Sequence, residues 1–253
     1  MNSYPEQFLG PVQLLPVLIA WAGGMIAVPL LARRGGRGQA NGIMLGVILQ
    51  AALAVVYLFT AWSPDRALFA VLAVPILGWS AEFIGSRTGV PFGTYHYTER
   101  LQPQIGRVPV AIPLAWLMML PPSWAIAELI VPGGSWWMRA IVSGAAFTAW
   151  DIYLDPHLVS WSFWKWEKPG RYYVGIPLGN FLGWFLWSGA ISAIVSPDSL
   201  LGTPFLLVYL LTWLFQAGGH LVFWKLYQSG IAGFIAMGLP TVVALWRIFT
   251  RNG

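Results

Sequence analysis

The sequence predicts an all-α fold, a polytopic bundle of membrane-spanning helices. Three observations carry this. The 253 residues are 57% hydrophobic and only 9% charged, against about 25% charged residues in a soluble domain. The apolar residues fall into eight runs, each close to the roughly 20 residues that span a bilayer. The connectors between them are short and rich in Gly, Pro and Ser, as at Ser63-Pro-Asp-Arg66, Pro132-Gly-Gly-Ser135 and Ser196-Pro-Asp-Ser199. No hydrophilic run is long enough for a separate soluble domain, so residues 1–253 read as one transmembrane helical domain.

The expected spans are Pro11–Leu31, Gly42–Trp62, Ala67–Gly85, Pro109–Ile130, Trp137–Asp155, Gly175–Val195, Pro204–Trp224 and Gly230–Phe249. Prolines inside them (Pro16, Pro29, Pro75, Pro121, Pro122, Pro240) imply kinks, which a bundle tolerates when neighbours re-satisfy the backbone. The segment Met1–Gly10 has no Lys or Arg before the first apolar run and so lacks the basic n-region of a signal peptide. With no cysteine, disulfides, thiolate metal sites and cysteine nucleophiles are excluded.

The 14 Lys and Arg lie between spans as topology signals instead of forming a nucleic-acid-binding tract. Ten fall in odd-numbered connectors (Arg33, Arg34, Arg37, Arg87, Arg100, Arg107, Lys165, Lys168, Arg171, Lys225) and four on the alternate side (Arg66, Arg139, Arg247, Arg251). This asymmetry predicts a chain with its N-terminus outside and its odd connectors in the cytoplasm. Arg247 and Arg251 oppose an eight-span count, so seven spans, with the last segment re-entrant, is the alternative.

That parity places Glu82, at the end of span three, on the same side as Asp151 and Asp155, at the end of span five. Acids in such a sequence are costly, about 2.5–3.5 kcal/mol at mid-bilayer, and the four-residue spacing stacks the two aspartates on one helical face. They read either as interfacial acids paired with Lys165, Lys168 or Arg171, or as a coupled pair whose desolvation and mutual repulsion retain a proton near neutrality. Glu82 likewise reads as an ion-pair partner of Arg87 or as a third carboxylate facing the aspartates. Glu128 falls near the opposite face. The loop after span three presents His96 between Tyr95 and Tyr97, near the acids. The loop after span five carries Trp161, Trp164, Trp166, Tyr172 and Tyr173, an interfacial belt by default, or faces that stabilise a cation. Asn180, near a helix start, can hydrogen-bond the site or another helix. His157 and His220 are too scattered for a metal motif; no metal and no cofactor are expected.

A weak internal echo links the two acid-bearing spans. Each leads through an aromatic loop into an Ile-Pro-Leu helix start, at Val108-Pro-Val-Ala-Ile-Pro-Leu-Ala-Trp116 and Val174-Gly-Ile-Pro-Leu-Gly-Asn-Phe-Leu-Gly-Trp184. An old duplication explains it, as do two uses of Pro in a first helical turn.

Two ordered blocks carry a family resemblance. One is Glu82…Gly85…Thr88-Gly-Val-Pro-Phe-Gly-Thr-Tyr-His-Tyr97, with Val108-Pro109 and Ile112-Pro-Leu-Ala-Trp-Leu-Met-Met119. The other is Ala149-Trp-Asp151…Leu154-Asp-Pro156…Trp164-Lys-Trp166…Gly170…Tyr172…Gly175-Ile-Pro-Leu178…Asn180-Phe-Leu-Gly-Trp184. Together they resemble the membrane hydratases of carotenoid biosynthesis, the carotenoid 1,2-hydratases and bisanhydrobacterioruberin hydratases. The resemblance covers roughly residues 75–190, the expected catalytic core; the flanking spans match in hydropathy only. It implies a hydro-lyase that adds water across the terminal double bond of an acyclic carotenoid ψ end group. The partners so implied are a carotenoid, water and the bilayer, with other enzymes of the pathway as candidate associates and no nucleic acid. Such chemistry needs a proton donor, a stabilised tertiary cation and a directed water. Asp151 and Asp155 are the candidate donors, and Glu82 or His96 the group that orients and deprotonates water. Tyr95, Tyr97 and Trp150 would shield the cation, with Trp116, Asn180 and Trp184 as further substrate contacts.

Other readings stay open at this point. Asp-x-x-x-Asp resembles half of the Mg²⁺–diphosphate site of an intramembrane prenyltransferase, but a second Asp-rich motif is missing. A carotenoid cyclase begins with the same protonation. A transporter would use the acids as a proton relay, although its site belongs at the midplane.

Overall fold

Eight long helices order the chain in the computed structural model, which describes residues 14–167 and 172–251. They are α1 (Leu15–Ala32), α2 (Gly36–Ala61), α3 (Pro64–Thr88), α4 (Ala111–Ile130), α5 (Trp136–Ser160), α6 (Leu178–Val195), α7 (Phe205–Gly218, continued by a π turn over Gly219–Phe223) and α8 (Tyr227–Arg251). Each expected span has its helix. Among the described residues seven are long and apolar enough to cross a membrane, the last of them over Tyr227–Thr250. The exception is α5, whose sequence is interrupted by Arg139, Asp151, Asp155 and His157. The chain is thus an integral membrane protein of the expected class, and α8 is one continuous helix. Pro11, the segment Met1–Gly10, Lys168, Gly170 and Arg171 lie outside the described residues.

α4 is the hub, packed against α2, α3, α5, α7 and α8. Its Trp116, Met119, Leu120 and Ile126 are fully buried. Helices that pack this closely need small residues at the crossings. At Gly78 of α3, an added Cβ would lie 2.7 Å from the Cγ of Trp116, so only glycine lets this indole sit between α3 and α4.

The prolines are accommodated by specific donors. Pro122 has no N–H for the carbonyl of Met118, four residues back. Gln50 on α2 supplies one instead, its Nε2 3.2 Å from that oxygen, while its Oε1 accepts the Trp21 indole N–H at 3.1 Å. Pro156 does not end α5 as the span Trp137–Asp155 anticipates. The helix continues to Ser160, and the carbonyl of Ile152, left free by Pro156, has the Tyr173 hydroxyl at 3.5 Å. Asp155 is therefore inside the helix and not at its interfacial end.

The loops hold short strands that an all-helical reading does not anticipate: β1 (Tyr95–Tyr97), β2 (Gln104–Ile105), β3 (Val108–Pro109), β4 (Trp164–Trp166), β5 (Tyr172–Tyr173) and β6 (Ile176–Pro177). β2–β3 and β5–β6 are two-residue hairpins. Both turn residues of each, Gly106-Arg107 and Val174-Gly175, have positive φ, the geometry that matches strand twist. β1 and β4 come from different loops and pair antiparallel, His96 opposite Lys165 at the centre. The chain therefore contains two units of one plan, α3–β1–β2–β3–α4 and α5–β4–β5–β6–α6, joined strand to strand. The echo in the sequence is offset from this equivalence. Pro109 and Pro177 occupy the same hairpin position, whereas Pro113 lies in the first turn of α4.

Candidate functional site

Glu82, Asp151 and Asp155 are brought together where the two units meet. Glu82 is 2%, Asp151 0% and Asp155 1% exposed, and Glu82 lies near enough to act electrostatically on both aspartates. Among the described residues neither Arg87 nor Lys165 pairs with these acids; Lys168 and Arg171, the other partners expected for the aspartates, lie outside the described residues. Arg87 donates to the carbonyls of Phe83 and Gly106 and stacks on the Phe83 ring. Lys165 is exposed on the outer face of β4.

Neutral donors serve the acids instead, and the strands deliver them. Along β1 successive side chains point to opposite faces, so Tyr95 and Tyr97 turn inward together. Their hydroxyls donate to the same oxygen, Glu82 Oε2, at 2.5 and 2.6 Å. On β4 the inward pair is Trp164 and Trp166, and the Trp164 indole N–H donates to Asp155 Oδ1 at 2.5 Å. Trp166 stands beside Asp155 and Trp116 beside Glu82, their N–H groups short of hydrogen-bond geometry. From α6, Asn180 Nδ2 donates to Asp151 Oδ2 at 2.8 Å and also to Asp155 Oδ2. Glu82 Oε1 and Asp151 Oδ1 are buried with no partner among the described residues. The same arrangement changes the phenols: burial first, then the charge of Glu82, pushes Tyr95 and Tyr97 well above the ordinary tyrosine range. Burial pushes Tyr173 up to about 12.

Aromatic rings enclose the cluster. Trp116 and Trp184 hold equivalent places on α4 and α6 and stack on each other, centroids 5.0 Å apart at 14°. Trp150 meets Trp184 edge-on at 6.2 Å, Tyr95 meets Tyr97 at 5.5 Å, and Tyr97 meets Trp164 at 5.8 Å. On the far side of Trp150 and Trp184 lies an apolar cavity of about 230 Å³, reached by Met25, Gly46, Ile112, Ala115 and Leu154. That exceeds the ~150 Å³ that takes up a benzene ring.

Of the residues expected at the site, Glu82, Tyr95, Tyr97, Trp116, Trp150, Asp151, Asp155, Asn180 and Trp184 converge. One expectation needs correction. The strand alternation that turns Tyr95 and Tyr97 inward turns His96 outward, where its Nδ1 pairs with Glu167 at 3.1 Å. Asn180 binds the aspartates themselves, the reading in which it hydrogen-bonds the site instead of another helix. Trp164, read as part of an interfacial belt, is a donor to Asp155; its alternation with Trp166 around Lys165 was the available signal. His157 gave no signal. It is 2% exposed and lines the cavity. Its ring stacks on Trp224 at 3.7 Å, and its Nε2 has no partner among the described residues.

Fold and site together define a class: a polytopic helical membrane protein with a buried carboxylate cluster beside an apolar cavity. Within that class the chain belongs to the carotenoid biosynthesis protein family, whose profile matches residues 42–240. It is 28% identical over 187 residues to the bisanhydrobacterioruberin hydratase of Haloarcula japonica, a match covering 69% of this chain and 63% of that protein. No solved structure matches it.

Proposed function

We propose that the protein is a carotenoid hydratase, a hydro-lyase that adds water across the terminal trisubstituted double bond of an acyclic ψ end group. The observation that carries this is the set of three buried carboxyls, served by neutral donors, against an aromatic wall and an apolar cavity. The family and the relative's name support the same reading. The end group approaches the acids through the cavity, whose wall includes Trp150 and Trp184, and the rest of the polyene lies between helices or in the bilayer. A carboxylic acid of the cluster protonates the less substituted carbon. The tertiary cation is stabilised by the indole and phenol faces and by carboxylate charge in a site of low dielectric. Water captures it and passes a proton to a carboxylate. The cation asymmetry of the connectors supports a site near the cytoplasmic face, and the membrane in this reading is a prokaryotic cytoplasmic one.

The test is expression in a host that makes lycopene or γ-carotene, followed by chromatography and mass spectrometry of the pigments. The expected result is a pigment heavier by one water, absent with Asp151→Asn and with Asp155→Asn at equal protein level. Unchanged pigment with the wild-type chain, on both acyclic substrates, would falsify the hydratase reading.

A further inference from the structure

We infer that Asp151 is the group that holds the transferable proton, on Oδ1, and that Asp155 is its ionised neighbour, the two assigned by hydrogen-bond donors. The assignment takes the hydratase reading for its chemistry, but the proton's location stands on geometry alone. An ionised carboxylate only accepts, whereas a protonated one must place an O–H somewhere. Asp155 accepts on both oxygens, Oδ1 from Trp164 and Oδ2 from Asn180. Neither oxygen needs a proton to be satisfied. Glu82 takes two phenol donors on Oε2. Asp151 shares a single donor, Asn180, on Oδ2, and its buried Oδ1 accepts nothing. Among the three acids Asp151 therefore has the least compensation for a negative charge, and removing such a charge from water is the costliest event in an apolar interior. The proton belongs on the oxygen with no donor.

Among the described residues the other titratable groups facing the pair come from two elements. From α3 it is Glu82, from β1 Tyr95 and Tyr97, and no Lys or Arg among the described residues pairs with them. Asn180 is the positioning residue: one amide nitrogen bridges both Oδ2 atoms, which fixes Asp151 and leaves its Oδ1 without a donor. The step balances. The alkene π pair forms the new C–H bond with the proton of Asp151, whose O–H electrons stay on Oδ1. A water lone pair then forms the C–O bond, and the water's extra proton goes to Glu82 Oε1, the other unpartnered oxygen. Transfer from Glu82 back to Asp151 resets the site with no redox change.

Two measurements without substrate test it on the purified full chain in lipid nanodiscs. Infrared spectroscopy at neutral pH is expected to show the C=O stretch of a protonated carboxyl, lost in Asp151→Asn. If that band is absent from the wild type, or survives in Asp151→Asn, the inference is overturned. The second needs no variant to fold. A hydrophobic carbodiimide reacts with protonated carboxyls in apolar surroundings, so peptide mass spectrometry of the wild type is expected to find the adduct on Asp151. An adduct on Asp155 or Glu82 with Asp151 unmodified, or none on any of the three, also overturns it. In pigment assays Asp151→Asn loses about a hundredfold or more of its conversion. A wild-type chain that shows the Asp151 signal yet hydrates no carotenoid would sink the hydratase reading and leave the proton where it is.

Discussion

At the residue scale the site depends on donors that are themselves hard to ionise. Tyr95 and Tyr97 both point at Glu82 Oε2, and a phenolate in either place would face a carboxylate in an apolar interior. Their folded values are raised by burial and by Glu82. The sign follows: these phenols bind their protons more tightly folded than unfolded. The stability they contribute is whole below the ordinary tyrosine value of ~10 and is lost as pH rises through the higher folded values. In an alkaline titration followed by phenolate absorbance, Tyr95→Phe and Tyr97→Phe should leave the number of tyrosines ionising near ~10 the same as in the wild type. A missing phenolate at that pH in either variant would place that ring in water and contradict the bond to Glu82.

At the element scale, helices in lipid keep their backbone groups paired or pay several kcal/mol for each failure, so every internal proline asks for a partner. Gln50 and Pro122 are such a couple across α2 and α4, and Trp21 ties α1 into the same amide. Gln50→Leu should lower stability by about 0.5–1.5 kcal/mol, the range of interhelical hydrogen bonds in membranes. In a Pro122→Ala background the restored N–H can bond Met118 within α4, so Gln50→Leu should cost less there. Thermal unfolding of the four proteins in detergent closes the cycle. Equal costs in both backgrounds would mean that Gln50 is not serving the carbonyl freed by Pro122. Gly78 makes the complementary point about packing, since the stack of Trp116 on Trp184 exists only because α3 has no side chain there.

At the scale of the whole molecule, labour is divided between the two α–β–α units and the helices around them. The units supply the acids and their donors; α1, α2 and α7 supply most of the far wall of the cavity. The sequence made the first half readable. Hydropathy gave the eight helices, and connector charge put Glu82 with Asp151 and Asp155 at one end, which is where they meet. The pairing of β1 with β4 was not readable, because residues nearly seventy positions apart leave no local period in either strand. With it went the outward turn of His96 and the roles of Trp164 and Asn180, which only long-range partners define. His157 was invisible for the same reason, its surroundings coming from α7. The division of labour has a consequence that can be measured. Ala115 on α4 is 5% exposed and lines the cavity without bonding any acid, so Ala115→Leu should fill part of the space proposed for the end group. Filling an apolar cavity commonly adds about 0.5–2 kcal/mol, so the melting temperature should hold or rise, and the protonated-carboxyl band should persist. Conversion of an acyclic carotenoid should nevertheless fall, by about tenfold if the lost binding is worth ~1.4 kcal/mol. Undiminished conversion by a protein carrying that leucine would show that the end group reaches the acids by another route than the cavity.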